Sequence, residues 1–244
     1  MQTSGFSNAP VTRLLIAWIV VGSMLATLTD TKMFFYIQVV PHFWAYWQWW
    51  RVFIWQACYT NSTEVLFACL TLYHLRIIER LWGSRKFASF ILLTLPYTSL
   101  LPPLILALIL RPLSLNTLNY LPAGPTPLLF ALLAQYHAAI PPTYRYKLAT
   151  TATPTPSTAA MSAITLTFTS KTTSYFLPLQ LSLAQLPGSL LCAGVGWAVG
   201  YAWRNEVLPC SEWRVPGWVV GEKGSGAGAQ GRGGEGFEGL RRRL

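Results

Sequence analysis

The sequence predicts an all-α membrane protein, a bundle of six transmembrane helices. Of its 244 residues, 52% are hydrophobic and 11% are charged, whereas ordinary globular domains carry about 25% charged residues. The apolar residues fall into six runs, and the loop after the first run is rich in aromatic residues. So much apolar surface would collapse or enter lipid, which excludes disorder for most of the chain and argues against a soluble domain.

Six apolar runs are candidates for bilayer-spanning helices, which need about 20 residues each. They are residues 11–28, 64–78, 87–110, 125–140, part of 161–186, and 189–203. The first run is long for a signal peptide and ends in a poor cleavage site, so we expect it to stay uncleaved. In the third run, Pro102 and Pro103 either lie inside the span or end its helix. The fifth and sixth runs look short, which predicts local membrane thinning.

Residues 29–60 predict an aromatic loop between the first and second spans rather than a span. Twelve aromatic side chains occur in this segment. Trp and Tyr favour the headgroup layer, where the ring is half buried and its polar group meets water. The proline and the polar residues of the segment argue against a buried span: Asp30, Lys32, Pro41, His42, Gln48 and Arg51. We therefore expect short helices that lie in the membrane interface.

The formal net charge is +10, and its distribution predicts the orientation in the membrane. One side receives nine basic residues: Arg13, Arg76, Arg80, Arg85, Lys86, Arg145, Lys147, Arg204 and, if the fifth span starts late, Lys171. The other side receives three, which are Lys32, Arg51 and Arg111. The positive-inside rule then puts both termini in the cytosol and the aromatic loop in the lumen. Because the basic residues lie at the ends of apolar runs, we do not expect nucleic-acid binding.

The chain divides into a transmembrane domain over residues 1–209 and a Gly-rich, basic, flexible cytosolic tail over residues 210–244. Within the first part, a Thr/Ala/Pro tract at residues 149–160 predicts a mobile loop. The four cysteines form no CxxC pair, so the sequence supports no metal site. We expect no cofactor.

Two motifs stand out at the predicted membrane edges. Trp50 and Arg51 lie late in the aromatic loop, and Arg51 either snorkels to the headgroups or is pinned inside the loop by backbone carbonyls. The second motif joins spans two and three: Glu79, Arg80, Leu81, Trp82, Gly83, Ser84, Arg85, Lys86 and Phe87. We expect Glu79 to pair with a neighbouring Arg or to accept backbone N–H bonds, and Gly83 to supply the tight turn.

This layout resembles the rhomboid superfamily. The fourth span opens at Gly124, and Gly196 and Gly200 in the sixth span would let a second helix approach closely. Residues 77–93 (IIERLWGSRKFASFILL) and 6–13 (FSNAPVTR) are similar to the Derlin-related, ubiquitin-associated-domain-containing rhomboid-like proteins, a family that includes subunit 2 of the fungal DSC ubiquitin ligase. The resemblance covers residues 6–209 and implies a six-helix rhomboid-like bundle.

The resemblance also implies that the catalytic dyad is missing. Active rhomboids carry a serine in a Gly-x-Ser-Gly motif at the start of span four and a histidine on span six. Here Thr126 stands in place of the serine, two residues after Gly124, and Pro127 replaces the second glycine. Ala193, three residues before Gly196, stands in place of the histidine. Because a hydroxyl without a base is a poor nucleophile, we expect a pseudoprotease and not an enzyme.

The function implied is that of a non-catalytic membrane subunit of the endoplasmic reticulum or Golgi. It would bind or scaffold membrane-protein clients for a ubiquitin-ligase complex in protein quality control, as in ERAD, together with other membrane subunits. Relatives add a C-terminal ubiquitin-binding domain. The tail ends without one, as in a truncated chain or a shorter member, which puts direct ubiquitin binding in doubt.

Two other functions stay open at this point. One is an active intramembrane protease that uses Thr126 with an unrelated base. The other is a small transporter, for which His74 and His137 are the ionisable candidates, although both lie near helix ends.

Overall fold

Helices dominate the computed structural model, which describes residues 5–6, 8–141, 144–149, 165–169, 171–209 and 214–216. The α-helices within these residues are α1 (Pro10–Leu28), α2 (Arg51–Ile54), α3 (Ser62–Trp82), α4 (Ser84–Ile105), α5 (Arg111–Leu113), α6 (Thr126–Ala139), α7 (Thr172–Leu183) and α8 (Gly188–Arg204). Short 3-10 or π-helical segments lie at Lys32–Phe34, Val39–Phe43 and Leu106–Leu110.

Among the described residues, two helices are long and apolar enough to cross a membrane. They are α1 and the continuous helix Ser84–Leu113, which joins α4 to α5. Six large apolar side chains of α1 are exposed after Arg13: Leu14, Trp18, Val21, Met24, Leu25 and Leu28. A helix at a water surface carries polar residues on its exposed face, so this face is suited to lipid.

Pro102 and Pro103 lie inside α4 and do not end it. A proline lacks the N–H donor and its ring crowds the carbonyl one turn earlier, but its own carbonyl still accepts a hydrogen bond. The N–H of Leu106 bonds to the carbonyls of both prolines. The helix therefore continues through them into the π-helical segment.

Helix α6 is the centre of the fold. Its residues from Thr126 to Tyr136 are all buried, and it contacts α3, α4, α7 and α8. A helix that is covered on every side has no exposed apolar stripe to match to lipid. Its 14 residues correspond to a length of about 21 Å at 1.5 Å per residue.

The six longer helices alternate in direction. Glu79 near the end of α3 bonds to Thr12 at the start of α1, and α4 follows α3 directly after Gly83. The ring of Trp203 at the end of α8 lies 5.4 Å from that of Phe90 in the first third of α4. His137 at the end of α6 contacts Lys171 and Tyr175 at the start of α7. The ends of α3, α6 and α8 therefore meet the starts of α1, α4 and α7. We call this end of the bundle the basic end, because it carries Arg13, Arg80, Arg85, Lys86 and Arg204.

Two antiparallel strand pairs are a difference from the sequence prediction. Strand β1 (Ile37–Gln38) pairs with β2 (Tyr120–Leu121), and β3 (Arg145–Ala149) pairs with β4 (Thr165–Thr169). The alternating sequence of β4 (TLTFT) is a typical strand pattern, which the apolar-run analysis overlooked. The predicted mobile loop at 149–160 lies outside the described residues except for Ala149, which belongs to β3.

Three residues of the predicted tail, 214–216, belong to the described part of the chain. Val215 is 2% exposed. Its N–H donates to Ser89 Oγ at 2.9 Å, and its carbonyl accepts from Arg85 Nε at 3.3 Å. The start of the segment after α8 therefore packs on α4, at the basic end.

Candidate functional site

Thr126 is the residue predicted to replace the nucleophile, and it opens α6 in a packed environment. It is 5% exposed, and its Oγ1 lies 3.2 Å from the Tyr59 hydroxyl. The Tyr59 ring is 1% exposed and lies directly against Gly124, where a Cβ would overlap it. Gly124 has a φ of +135°, a conformation that side chains rarely adopt. An aromatic ring therefore fills the space beside Thr126.

Ala193, the residue predicted to replace the histidine, is buried in the same hydrophobic core as α6. Farther along α8, a Cβ at Gly196 would overlap the carbonyl of Pro127, and one at Gly200 would lie 2.6 Å from the carbonyl oxygen of Ala131. Residues 196 and 200 of α8 thus contact residues 127 and 131 of α6, in the same order and with the same spacing of four residues. The two helices therefore run parallel and in close contact.

Among the described residues, no histidine bonds to Thr126. All three histidines lie in the described part of the chain, and each binds elsewhere. His42 accepts from the Gln38 N–H, His74 bonds to Ser174, and His137 bonds to Tyr175. Burial raises the pKa of the Tyr59 phenol far above its ordinary value, so the group stays protonated. The hydrogen-bond partner of the Thr126 hydroxyl is therefore a neutral phenol, which is a poor general base.

Arg51 is held inside the loop between α1 and α3. Although charged, it is 5% exposed. Its Nη1 donates to the carbonyls of Met33, Phe34 and Tyr36 at 2.8, 3.2 and 3.1 Å, and its Nε donates to Gln48 Oε1 at 2.6 Å. Of the two arrangements open from the sequence, the structure has the one in which backbone carbonyls pin the guanidinium.

Aromatic rings and His42 surround the same guanidinium. Its centre lies 5.3 Å from the Trp50 ring and 5.9 Å from the Phe34 ring, which are cation–π distances. Burial, and secondarily the charge of Arg51, lower the pKa of His42. His42 Nδ1 accepts the Gln38 N–H at 3.0 Å, a bond that requires this nitrogen to be unprotonated.

Glu79 is fully buried and caps the start of α1. Its Oε1 accepts from the N–H of Val11 at 2.9 Å, and its Oε2 accepts from the N–H and the hydroxyl of Thr12 at 2.7 and 2.6 Å. The first N–H groups of a helix have no partner within the helix, and the helix dipole favours a negative charge there. Of the two kinds of partner expected for Glu79, the structure has backbone N–H groups.

The other residues of the α3–α4 motif surround the turn. Gly83 has a φ of +82° and separates α3 from α4, which starts at Ser84. The Arg80 side chain donates to the carbonyl of Gly5 at 2.8 Å. The ammonium of Lys86 lies 5.0 Å from the Trp82 ring. Phe87 is fully buried in the core.

Sequence reasoning missed a set of polar contacts that join α7 to its neighbours. Ser174 Oγ lies 2.8 Å from His74 Nε2 on α3 and 3.3 Å from the Tyr136 hydroxyl on α6. Beyond the other end of α7, the Gln185 side chain donates to Glu64 on α3. In the sequence, these contacts are indicated only by single polar residues within apolar runs. The sequence does not show which of these residues contact one another, because that depends on how the helices pack.

A family model and several known proteins match this chain. A model described as eukaryotic integral membrane protein (DUF1751) matches residues 13–205. The chain is 31% identical over 210 residues to subunit 2 of the DSC E3 ubiquitin ligase complex of Schizosaccharomyces pombe, covering 86% of the chain and 52% of that protein. It is 29% identical over 222 residues to ubiquitin-associated domain-containing protein 2 of Mus musculus, covering 88% and 59%.

A plant relative extends this picture. The chain is 24% identical over 226 residues to rhomboid-like protein 18 of Arabidopsis thaliana, covering 89% of the chain and 69% of that protein. The chain thus spans between half and two thirds of the length of the first two relatives. No solved structure matches it. These similarities confirm the resemblance predicted from the sequence, and the chain belongs to the DUF1751 family of eukaryotic integral membrane proteins.

Proposed function

We propose that this protein is a non-catalytic, rhomboid-like membrane subunit of a ubiquitin-ligase complex, in which it binds or scaffolds membrane-protein clients. The observation that carries the proposal is the similarity to a DSC complex subunit along 86% of the chain, combined with a filled site at Thr126. We place the protein in the endoplasmic reticulum or Golgi, where such a subunit would serve protein quality control.

The absence of catalysis rests on the contacts of the two dyad positions. Thr126 faces the Tyr59 hydroxyl, and Ala193 has no functional group. A protease needs a base within hydrogen-bond reach and room for a peptide carbonyl. The Tyr59 ring occupies that room. We therefore expect a purified preparation with any proteolytic activity to keep it unchanged after Thr126→Ala, which would assign the cleavage to a contaminant.

The proposed orientation has six spans with both termini in the cytosol. The alternating helix directions support it, because they collect Arg13, Arg80, Arg85, Lys86 and Arg204 at the basic end. Lys32 and Arg51 lie beyond the end of α1, and Arg111 lies in the last turn of the helix Ser84–Leu113, at the opposite end of the bundle. Under the positive-inside rule the basic end faces the cytosol, which is where ubiquitin is attached.

Clients would bind beside α7, where the bundle is thinnest. Helices α7 and α8 have 12 and 17 residues, or about 18 and 26 Å at 1.5 Å per residue, against a hydrocarbon core of about 30 Å. The outer face of α7 is mostly apolar, with Phe176, Leu179 and Leu183 exposed around one polar residue, Gln180. Lipid that thins to match this face lowers the cost for a client helix with polar residues to approach.

Co-purification tests the subunit role. The full chain with an affinity tag, extracted from its native membranes in a mild detergent, should bring down other membrane subunits of a ubiquitin ligase in stoichiometric amounts. Recovery only as a monomer without partners would contradict the proposal. A tagged α-helical membrane protein of similar size from the same membranes controls for detergent carry-over.

Lengthening the short helices tests the client mechanism separately. Four leucines inserted in each of α7 and α8 add about 6 Å per helix and should reduce the recovery of clients while the partner subunits stay bound. The same insertion in α1, whose 19 residues are long and apolar enough to cross a membrane, is the matched control. Equal client recovery from both variants would rule out thinning.

A further inference from the structure

A polar cavity opens at the basic end of the bundle, between the α3–α4 turn and the end of α8. Its volume is about 280 Å³. At about 30 Å³ per water molecule, it has room for roughly nine waters, or for a small polar group in their place. Neither the non-catalytic role nor the capture of clients makes use of it.

Positive charge dominates the cavity. Its lining includes the cationic side chains Lys86, Arg204 and Arg214 and one carboxylate, Glu206. Across the ranges that the structure describes, neither Lys86 nor Arg204 has an ion-pair partner, and the recorded contact of the Lys86 ammonium is the Trp82 ring at 5.0 Å. The positive charges of Lys86 and Arg204 repel one another across the opening, and an anion between them removes that repulsion.

The walls of the cavity are rigid. Trp82 and Trp203 line it, and both rings pack edge-on against Phe90, at 5.8 and 5.4 Å between ring centres. Gln135, also in the lining, is fixed by a 2.5 Å bond from its Nε2 to the carbonyl of Gly200. Because α4, α6 and α8 are joined at this point, the cavity exists before any ligand arrives, which lowers the entropic cost of binding.

Its location determines the kind of anion. The cavity lies where the helices end, and Lys86 and Arg204 belong to the first and last turns of their helices. That is the level of lipid headgroups, and basic pockets between helix ends on the cytosolic side bind phosphorylated headgroups. We propose that this cavity binds the phosphorylated headgroup of an anionic membrane lipid, with Lys86 and Arg204 as the phosphate ligands.

The lipid site rests on the proposed membrane orientation only for its assignment to the cytosolic leaflet. It does not depend on the ubiquitin-ligase role, because its readout is lipid affinity and not the recovery of partners. If the co-purification experiment fails, the lipid result is unaffected. If the lipid does not bind, the proposed subunit role is unaffected.

The test is a titration of the purified full chain in neutral detergent with short-chain phosphatidylinositol 4-phosphate, followed by microscale thermophoresis. We expect saturable binding that weakens roughly fivefold in Lys86→Gln and in Arg204→Gln, since one basic residue near a membrane surface contributes about that much. The double variant should lose roughly 25-fold. The charge-preserving pair Lys86→Arg and Arg204→Lys should stay within about threefold of the wild type.

Two comparisons make the result decisive. The double variant Lys32→Gln with Arg111→Gln removes the same amount of charge at a distance from the basic end. An equal loss of lipid affinity in this variant would overturn the proposed site, because it would show that the lipid is attracted by the overall positive charge of the protein. Absence of saturable binding to the wild type would also overturn it. Inositol 1,4-bisphosphate supplies the headgroup without acyl chains. Weaker binding of this soluble form supports a lipid ligand, and equal affinity would overturn the lipid assignment.

Discussion

Glu79 on α3 holds the first turn of α1 through Thr12, whose N–H lies 2.7 Å and whose hydroxyl lies 2.6 Å from the same carboxylate oxygen. The two residues are 67 positions apart in the sequence, yet their contact caps the start of α1, a candidate membrane helix. A charged group that is fully buried and bound to three donors is costly to disturb, because each donor would then be left without water or a partner.

Glu79→Gln should therefore lower the free energy of unfolding by about 1.5–3 kcal/mol. The neutral amide keeps the shape of the side chain but presents one oxygen to three donors, and it loses the attraction of a carboxylate for the helix start. Thermal or steric-trapping unfolding in lipid nanodiscs measures the change. Asp30→Asn, at an exposed carboxylate just after the end of α1, is the matched control and should stay within about 0.5 kcal/mol.

Arg51→Lys should loosen the loop between α1 and α3. An ammonium group cannot bond to Gln48 and to three carbonyls at once, because it lacks the planar fork of the guanidinium. We expect faster hydrogen–deuterium exchange across residues 33–50 and a loss of about 2 kcal/mol of stability. Arg145→Lys, an exposed change in β3, should leave both unaltered. Unchanged exchange in the Arg51 variant would contradict the pinned arrangement.

Gly196→Ala should separate α6 from α8. The added methyl group would overlap the backbone of Pro127, and overpacking of this kind costs about 1–3 kcal/mol. Gly194→Ala, two residues away on the same helix, is the control because a Cβ there meets nothing within 4 Å. This control should be neutral or stabilising by up to about 1 kcal/mol, since alanine favours helix. Equal effects of the two substitutions would refute the close α6–α8 contact.

Acidification should destabilise the loop through His42. Its pKa lies below the ordinary value of about 6.5, because burial and then the charge of Arg51 disfavour the protonated ring. Above pH 6.5 both the folded and the unfolded loop carry a neutral His42. As the pH falls below that value, the unfolded loop takes up the proton first, so stability is lost.

Hydrogen exchange at Gln38, whose N–H bonds to His42 Nδ1, reports this change. Protection should decrease between pH 7.5 and pH 5. His42→Asn supplies a neutral acceptor near the position of Nδ1 and should keep protection constant over this range. A wild-type loop as protected at pH 5 as at pH 7.5 would show that His42 does not titrate there. The charged and titratable neighbours are Arg51 and Tyr36, whose ring centre lies 5.8 Å from that of His42.

The helices could be predicted from the sequence because the features that indicate a helix are local. Apolar runs and their flanking Pro, Gly and charged residues predicted α1, α3, α4, α6, α7 and α8 to within a few residues at most ends, since a long apolar stretch has few other ways to satisfy its backbone. The family followed from the run at residues 77–93, with its particular order of charged, aromatic and glycine residues. Two-residue strands such as β1 and β2 carry too little pattern for this kind of prediction.

The contacts that define the candidate site came only from the tertiary structure. Nothing near Tyr59 in the sequence connects it to Thr126, 67 residues away, and the sequence left the partners of Arg51 and Glu79 as alternatives. Such contacts depend on helix direction and crossing, which are set by the packing of many side chains at once. The composition of the chain is sufficient to predict that it enters a membrane. That the Tyr59 ring fills the space beside Thr126 was decided only by the packing of the helices.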